Sequence, residues 1–449
     1  MELRKRANAS LSGSGDDSSC RSSSPESKGA RIDRNFTRCI VLAFLVLIGA
    51  IFLPLTFSSM LPSFIQEPFE QLLDAFGLEP RVHAVVIDAG STGSRVLAFT
   101  FKKDFIHGNQ LKLVDELWKQ VKPGLSSFAQ DPEKAGKSVQ ELIDAAKQRI
   151  PRKHWAQTPI TLKATAGLRL LPEEQSAAII QEVKKVLEQS GFQGSQEKLI
   201  EIMNPMEEGL FAWFTVNYLI DAFSKSLWSS AVSLDLGGGS TQITFAPKTF
   251  PVAGIEGRKH FIHKVDILES DPWNVYSHSY LGLGLMAARE AIFVKEGSSK
   301  SSCVLSNVKF AFHGNVYEIA AASQGGFQPC LDVVEKVIDA NDVHKPQEIL
   351  GRDIVAFSYF FDLAIDAGLI TGLEGSVTVS DYKKAAMQAC DGSSPQSDAF
   401  ACLDLTFLFG LLNHGYGLSE SKAIKLYKKI NGHEASWALG VGYHMIHNQ

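Results

Sequence analysis

The rhythm of apolar and polar positions changes several times along this chain. Up to residue 38 it shows no apolar periodicity and is rich in Ser, Arg and Gly. Such a segment cannot bury enough surface to offset the entropy of ordering, so residues 1–38 read as a disordered tail. Residues 39–57, CIVLAFLVLIGAIFLPLTF, carry no charge. At about 1.5 Å per residue they are long enough to cross a hydrocarbon core about 30 Å thick. Residues 58–81 read as a stem. Val82 to Ile87 are apolar except for His83, as in a strand buried on both faces. Asp131 and Pro132 open a helix with an apolar stripe of Val139, Leu142, Ile143 and Ala146. A second helix starts at Pro172, carries Ile179, Ile180, Val183, Val186 and Leu187, and stops at Gly191; a third starts near Met206. Residues 229–236 and 241–245 read as strand, glycine turn and strand. Strands alternating with helices predict an α/β architecture.

Charge gives the span a direction. Arg31, Arg34 and Arg38 precede it and no basic cluster follows before Arg81, so the positive-inside rule leaves the N-terminus cytosolic and the rest lumenal or extracellular, the topology of a single-pass type II membrane protein. The competing reading is a cleaved signal sequence, for which the preceding tail is long. Asn8 and Asn35 head N-x-[ST] sequences but lie on the cytosolic side and should stay unmodified.

The chain has 449 residues, 45% of them hydrophobic, which exceeds one core and predicts at least two lobes. A net charge of -5 without a basic stripe excludes a nucleic-acid footprint, so any nucleotide is bound as a small molecule. The six cysteines form no CxxC pair, which argues against zinc. In an oxidising compartment Cys303, Cys330, Cys390 and Cys402 can make two bridges in three connectivities; the short-loop choice is Cys303 with Cys330 and Cys390 with Cys402, each worth about 3 kcal/mol. In the cytosol all four would instead be buried small apolar groups. His260 with His263, and His444 with His447, have the spacing of ligands on one helix face but no acidic support nearby.

One pattern occurs twice. VVIDAGSTGSR and VSLDLGGGSTQ each deliver an aspartate, Asp88 or Asp235, from an apolar strand into a glycine turn. Glycines let backbone N–H groups approach phosphate oxygens closely, and Ser91, Thr92, Ser240 and Thr241 add hydroxyls. A single such loop is usually only a turn, but two facing loops form a clamp for a polyphosphate. That much negative charge beside two carboxylates calls for a divalent cation, with Asp88 and Asp235 holding it through water.

With these two stretches, ATAGLRLL from Ala164, IMNPMEEGLFAW from Ile202 and SYLGLGLMAAR from Ser279 make five ordered motifs that resemble the signature regions of the apyrase, or nucleoside triphosphate diphosphohydrolase, family. The resemblance spans about residues 82 to 449 and is nearest to the branch of the endoplasmic reticulum and Golgi that prefers UDP and GDP. It implies a two-lobed fold like that of actin, Hsp70 chaperones and sugar kinases, with lobe I at 82–204 and 432–449, lobe II at 205–431, and the ligand between them. Its general base, the Glu before Gly in the third motif, falls on Glu208. Ser240 orients the attacking water; Gly90, Ser91, Thr92, Gly93, Gly237, Gly238 and Gly239 cradle phosphate; Thr165, Ala166 and Gln242 contact phosphate or water. The cofactor implied is Ca²⁺ or Mg²⁺. Aromatic side chains of lobe II take the nucleobase, and AFSYFFD offers Tyr359 and Phe361. Arg95 either screens phosphate or pairs with an acid. The rival readings on the same fold are a sugar-kinase-like phosphotransferase and a slow, chaperone-like nucleotide switch.

Overall fold

The apolar run at Val82 becomes a strand because both of its faces are covered. In the computed structural model, β1 (Arg81–Ala89) is flanked by β2 (Ser94–Asp104) and β4 (Ile160–Ala164); β3 (Gln110–Val121) and β5 (Ile200–Ile202) complete a five-stranded sheet in the order β3-β2-β1-β4-β5. β1, β2 and β3 are antiparallel, whereas β4 and β5 run parallel to β1. The structure describes residues 81–447 except 91, 105–109, 170, 195–198, 224–228, 249–251, 255–258, 266–271, 313–314 and 394–397. The tail, the 39–57 span, residues 58–80 of the stem, Asn8 and Asn35 lie outside the described residues. Among the described residues no helix is long and apolar enough to cross a membrane.

Alternation along β1 divides its cover. Val85, Ile87 and Ala89 pack beneath α1 (Pro132–Arg149) and the later helix Glu173–Glu188, through Val139, Leu142, Ile143, Ile179, Val183 and Leu187. Ala84 and Val86 face the other way, toward the helices Pro205–Leu219 and Trp437–His447. Both amphipathic stripes therefore do what their spacing predicts. Asp131 occupies the N-cap of α1 but makes no side-chain cap bond, pairing at 2.8 Å with Lys134 instead.

The second sheet repeats the plan. β6 (Val232–Leu236), β7 (Ser240–Phe245), β8 (Ile262–Val265), β9 (Trp273–Leu281), β13 (Ile354–Ser358), β14 (Glu374–Thr378) and β15 (Ala423–Tyr427) take the order β14-β15-β13-β6-β7-β9-β8. Its central part, β9-β7-β6-β13-β15, has the same pairing as the first sheet: an antiparallel hairpin with a third antiparallel strand on one side, two parallel strands on the other. A small sheet of β10 (Lys300–Ser301), β11 (Val308–Phe312) and β12 (Asn315–Ala321) accompanies it. The core of the second sheet holds both disulfides, Cys303 with Cys330 and Cys390 with Cys402, the short-loop pairing.

Candidate active site

The two hairpins of the sequence repeat superpose in register. Asp88 is paired with Arg95 across β1 and β2, and Asp235 with Gln242 across β6 and β7, seven residues on in each case. The turns close alike: Gly90 N–H donates to the Gly93 carbonyl at 3.1 Å, and Gly237 N–H to that of Ser240 at 2.9 Å. Carbonyls of Gly237, Gly238 and Gly239 are engaged by the amides of Leu285, Met286, Ala287 and Gly282. This uses up acceptors that would repel an anion and suits the loop to a phosphate. Gly284 permits that packing, since a Cβ there would collide with Ser240 N and Gly239.

Glu208 arrives on α4, which we number after α2 (Ala166–Arg169) and α3 (Glu173–Glu188): α4 spans Pro205–Leu219 and is capped by the Asn204 side chain, which accepts from Met206 N–H at 3.0 Å. Gly209 lets α4 press onto β7 and β9, because a Cβ there would collide with Ser277 Oγ and Thr244 Oγ1. The Glu-Gly dipeptide thus has a mechanical basis: the glycine brings the helix close enough for the preceding carboxylate to reach the cleft. Glu208 is 7% exposed and accepts from Arg169 Nη2 at 2.9 Å; Arg169 also donates to the Met203 carbonyl at 3.1 Å. Glu207 diverges toward Lys163, 3.9 Å away.

Asp88, Gly90, Thr92, Thr165, Glu208, Asp235, Gly237, Gly238, Gly239 and Ser240 line one cleft of about 300 Å³. It opens at the carboxyl ends of parallel strands, where open α/β sheets place ligands. Gln242 stands behind Ser240, its Nε2 donating to Ser240 Oγ and Ser279 Oγ, each at 2.9 Å. Gly93 supports the turn from behind, against Gln120 and Val121. Ala166 opens α2 beside Thr165, whose N–H donates to the Ala89 carbonyl at 3.3 Å. Ser91 lies outside the described residues. Arg95 bonds Asp88 at 3.1 Å and lines the cleft, so its acid partner is the site's own aspartate.

Tyr359 lines the cleft, but Phe361 is 4% exposed and sits in the second core. Two residues apart on a helix point in nearly opposite directions, so Tyr359 and Phe361 cannot flank one base. Among the described residues no metal-ligand cluster includes either histidine pair: His260 lies in a 3-10 turn and His263 on β8, while His444 and His447 pack on Phe211 and Tyr443.

Burial dominates the electrostatics. It raises the Asp88 carboxyl, with the paired Arg95 pulling back. It lifts Asp235 to about 6, aided by the Asp88 charge and opposed by the Ser358 hydroxyl and Arg95. Glu208 is pushed up to about 7 by burial; Arg169 opposes this, and Asp235 and Asp88 add to it. Oδ1 of Asp88 and Oδ1 of Asp235 are buried with no hydrogen-bond partner among the described residues. Two unmatched, mutually repelling carboxylate oxygens fit a hard divalent cation. Among the described residues no three His, Cys, Asp or Glu form a full cage, so such an ion would retain water.

The family model for the GDA1/CD39 (nucleoside phosphatase) family matches residues 78–448. The chain belongs to that family. As a GDA1/CD39 member it is an apyrase-type phosphohydrolase, as its five motifs imply. It is 36% identical over 383 residues to the human nucleoside diphosphate phosphatase ENTPD5, covering 81% of this chain and 87% of that protein. It is 39% identical over 378 residues to ectonucleoside triphosphate diphosphohydrolase 6 of Mus musculus, covering 81% and 82%. In fold it resembles the nucleoside triphosphate hydrolases from Neospora caninum, with TM-score 0.56 and 14% identity, covering 84% of this chain and 95% of that one.

Three residues around this GDA1/CD39 site carry no local sequence signal of their place in it. Arg169 lies inside a quoted motif, yet its partner Glu208 is 39 positions away. Ser358 bonds Asp235 from a backbone at φ 56, a left-handed conformation that only a non-local constraint sustains in serine. Trp118 reaches the cleft from β3.

All three carboxyls take up protons more readily folded than unfolded. Their contribution therefore favours the folded state at low pH and is lost as pH rises from the ordinary carboxylate range through about 7. Chelator-treated protein should show a thermal midpoint that falls between pH 5 and 7.5, with a smaller fall in Asp88→Asn/Asp235→Asn. An equal fall in both proteins would remove these aspartates from the effect.

Proposed function

We propose that this protein hydrolyses nucleoside diphosphates, UDP and GDP foremost, to monophosphate and phosphate with a divalent cation, Ca²⁺ or Mg²⁺. The observation that carries this reading is Glu208, buried on Arg169 beside two glycine hairpins that each present an aspartate. The name of the human relative supports diphosphates as the substrate class.

In this reading Gly90, Ser91 and Thr92, on a turn that Gly93 shapes from behind, hold the terminal phosphate from one side and Gly237, Gly238 and Gly239 from the other, with Thr165 and the Ala166 backbone adding contacts. Ser240, fixed by Gln242, orients a water, and Glu208 takes its proton. The water oxygen bonds to phosphorus as the bond to the bridging oxygen breaks, and the nucleoside monophosphate departs without a phosphoenzyme. Asp88 and Asp235 would hold a divalent cation, which would supply positive charge against the phosphate. Arg169 holds Glu208 in place and favours its ionised form.

Full-length protein in detergent should release phosphate from UDP and GDP faster than from ATP, lose this with EDTA, and fall at least about 100-fold in kcat in Glu208→Gln. Wild type inert on every diphosphate, or a fully active variant, would refute the assignment.

We further read residues 39–57 as a membrane anchor with the catalytic part in the endoplasmic reticulum or Golgi lumen, a cleaved soluble form included, and the two sheets as lobes that cross near Asn204 and Asn431. The disulfides suit an oxidising lumen. In sealed microsomes, residues beyond the span should resist added protease until detergent is present; digestion without detergent would reverse the topology.

A further inference from the structure

The hydrolytic step leaves one end of the cleft unused. Across β2 and β3 the facing pairs are Phe101 with Leu113, Phe99 with Glu116, Leu97 with Trp118 and Arg95 with Gln120. The register shift between Thr100 and Phe101 keeps these β3 residues on one face. That face starts in apolar core, where Phe101, Phe99 and Leu113 are buried, and ends in the cleft. Trp118 shares a row with fully covered Leu97 yet is 39% exposed: it stands on the edge strand of its sheet and lines the cleft. Among the described residues no other ring stacks on it.

Position makes this exposure informative. Asp88, Arg95 and Gln120 form one row across three strands, and Trp118 lies two residues further along β3. At strand spacings of about 4.8 Å and about 3.3 Å per residue, Trp118 stands about 12 Å from Asp88. With the terminal phosphate at the aspartates, a base carried on ribose and one more phosphate extends over a comparable distance. Tyr359 lines the same cleft from the second sheet, whereas Phe361 is sealed in the core.

We propose that Trp118 forms the first-sheet wall of the nucleobase subsite, the base stacking on its indole. This rests on the nucleoside diphosphate reading above. In the full-length protein Trp118→Ala should raise KM for UDP and GDP about tenfold, the size of one lost base–aromatic stack, with kcat within about twofold. Trp118→Phe should recover most of that KM. In a Glu208→Gln background, saturating UDP with Mg²⁺ should quench tryptophan emission, and Trp118→Phe should abolish most of the quench. An unchanged KM in Trp118→Ala, or an undiminished quench in Trp118→Phe, would overturn the proposal. If Trp118→Ala does not fold, the quench decides. An inert wild type with the quench intact would sink the hydrolase reading and leave this one standing.

Discussion

Three carboxylates buried in one cleft are the constraint around which this molecule is arranged. Asp88, Asp235 and Glu208 are each raised by burial, and the charges of Asp88 and Asp235 raise Glu208 further. Against them stand two guanidiniums, Arg95 on Asp88 and Arg169 on Glu208. Among the described residues the Ser358 hydroxyl and the pull of Arg95 oppose the rise at Asp235. The excess is negative, and a polyphosphate would deepen it. A divalent cation would reconcile the carboxylates with an anionic substrate and would give the Oδ1 atoms, unpartnered among the described residues, a purpose that packing does not.

The fold supplies these groups by repetition. Each sheet delivers an aspartate at the same register position of the same hairpin, beside a parallel strand whose carboxyl end adds Thr165 in one sheet and Tyr359 in the other. Glu208 comes from neither sheet. It rides on α4, whose approach depends on Gly209 meeting Ser277 and Thr244, and whose start depends on Asn204 and Pro205. Glu208 is therefore placed by helix-on-sheet packing and the two aspartates by strand register.

Features written locally were legible in the sequence. The strand at Val82, the stripes of α1 and α3 and both glycine hairpins follow from periodicity and turn chemistry over short windows. Asp88 and Asp235 came from the repeat, while Glu208 needed the family motif, because a Glu-Glu pair at a helix start is ordinarily a response to the helix dipole. Contacts that depend on distant packing were not legible. Arg169 meets Glu208 across 39 positions, Ser358 is non-glycine at positive φ, and Trp118 is an ordinary strand aromatic until its row is known. Phe361 is sealed in the core for a local reason that helical geometry supplies: it lies on the opposite side of its helix from Tyr359.

One divalent cation shared by Asp88 and Asp235 is tested most directly by calorimetric titration of Mg²⁺ and Ca²⁺ into protein carrying a non-hydrolysable UDP analogue, in two buffers of different ionisation heat. One cation should bind per chain with proton release at pH 6 that shrinks by pH 8, and both should be lost in Asp88→Asn/Asp235→Asn. Binding without proton release, or binding that survives the double substitution, would contradict it.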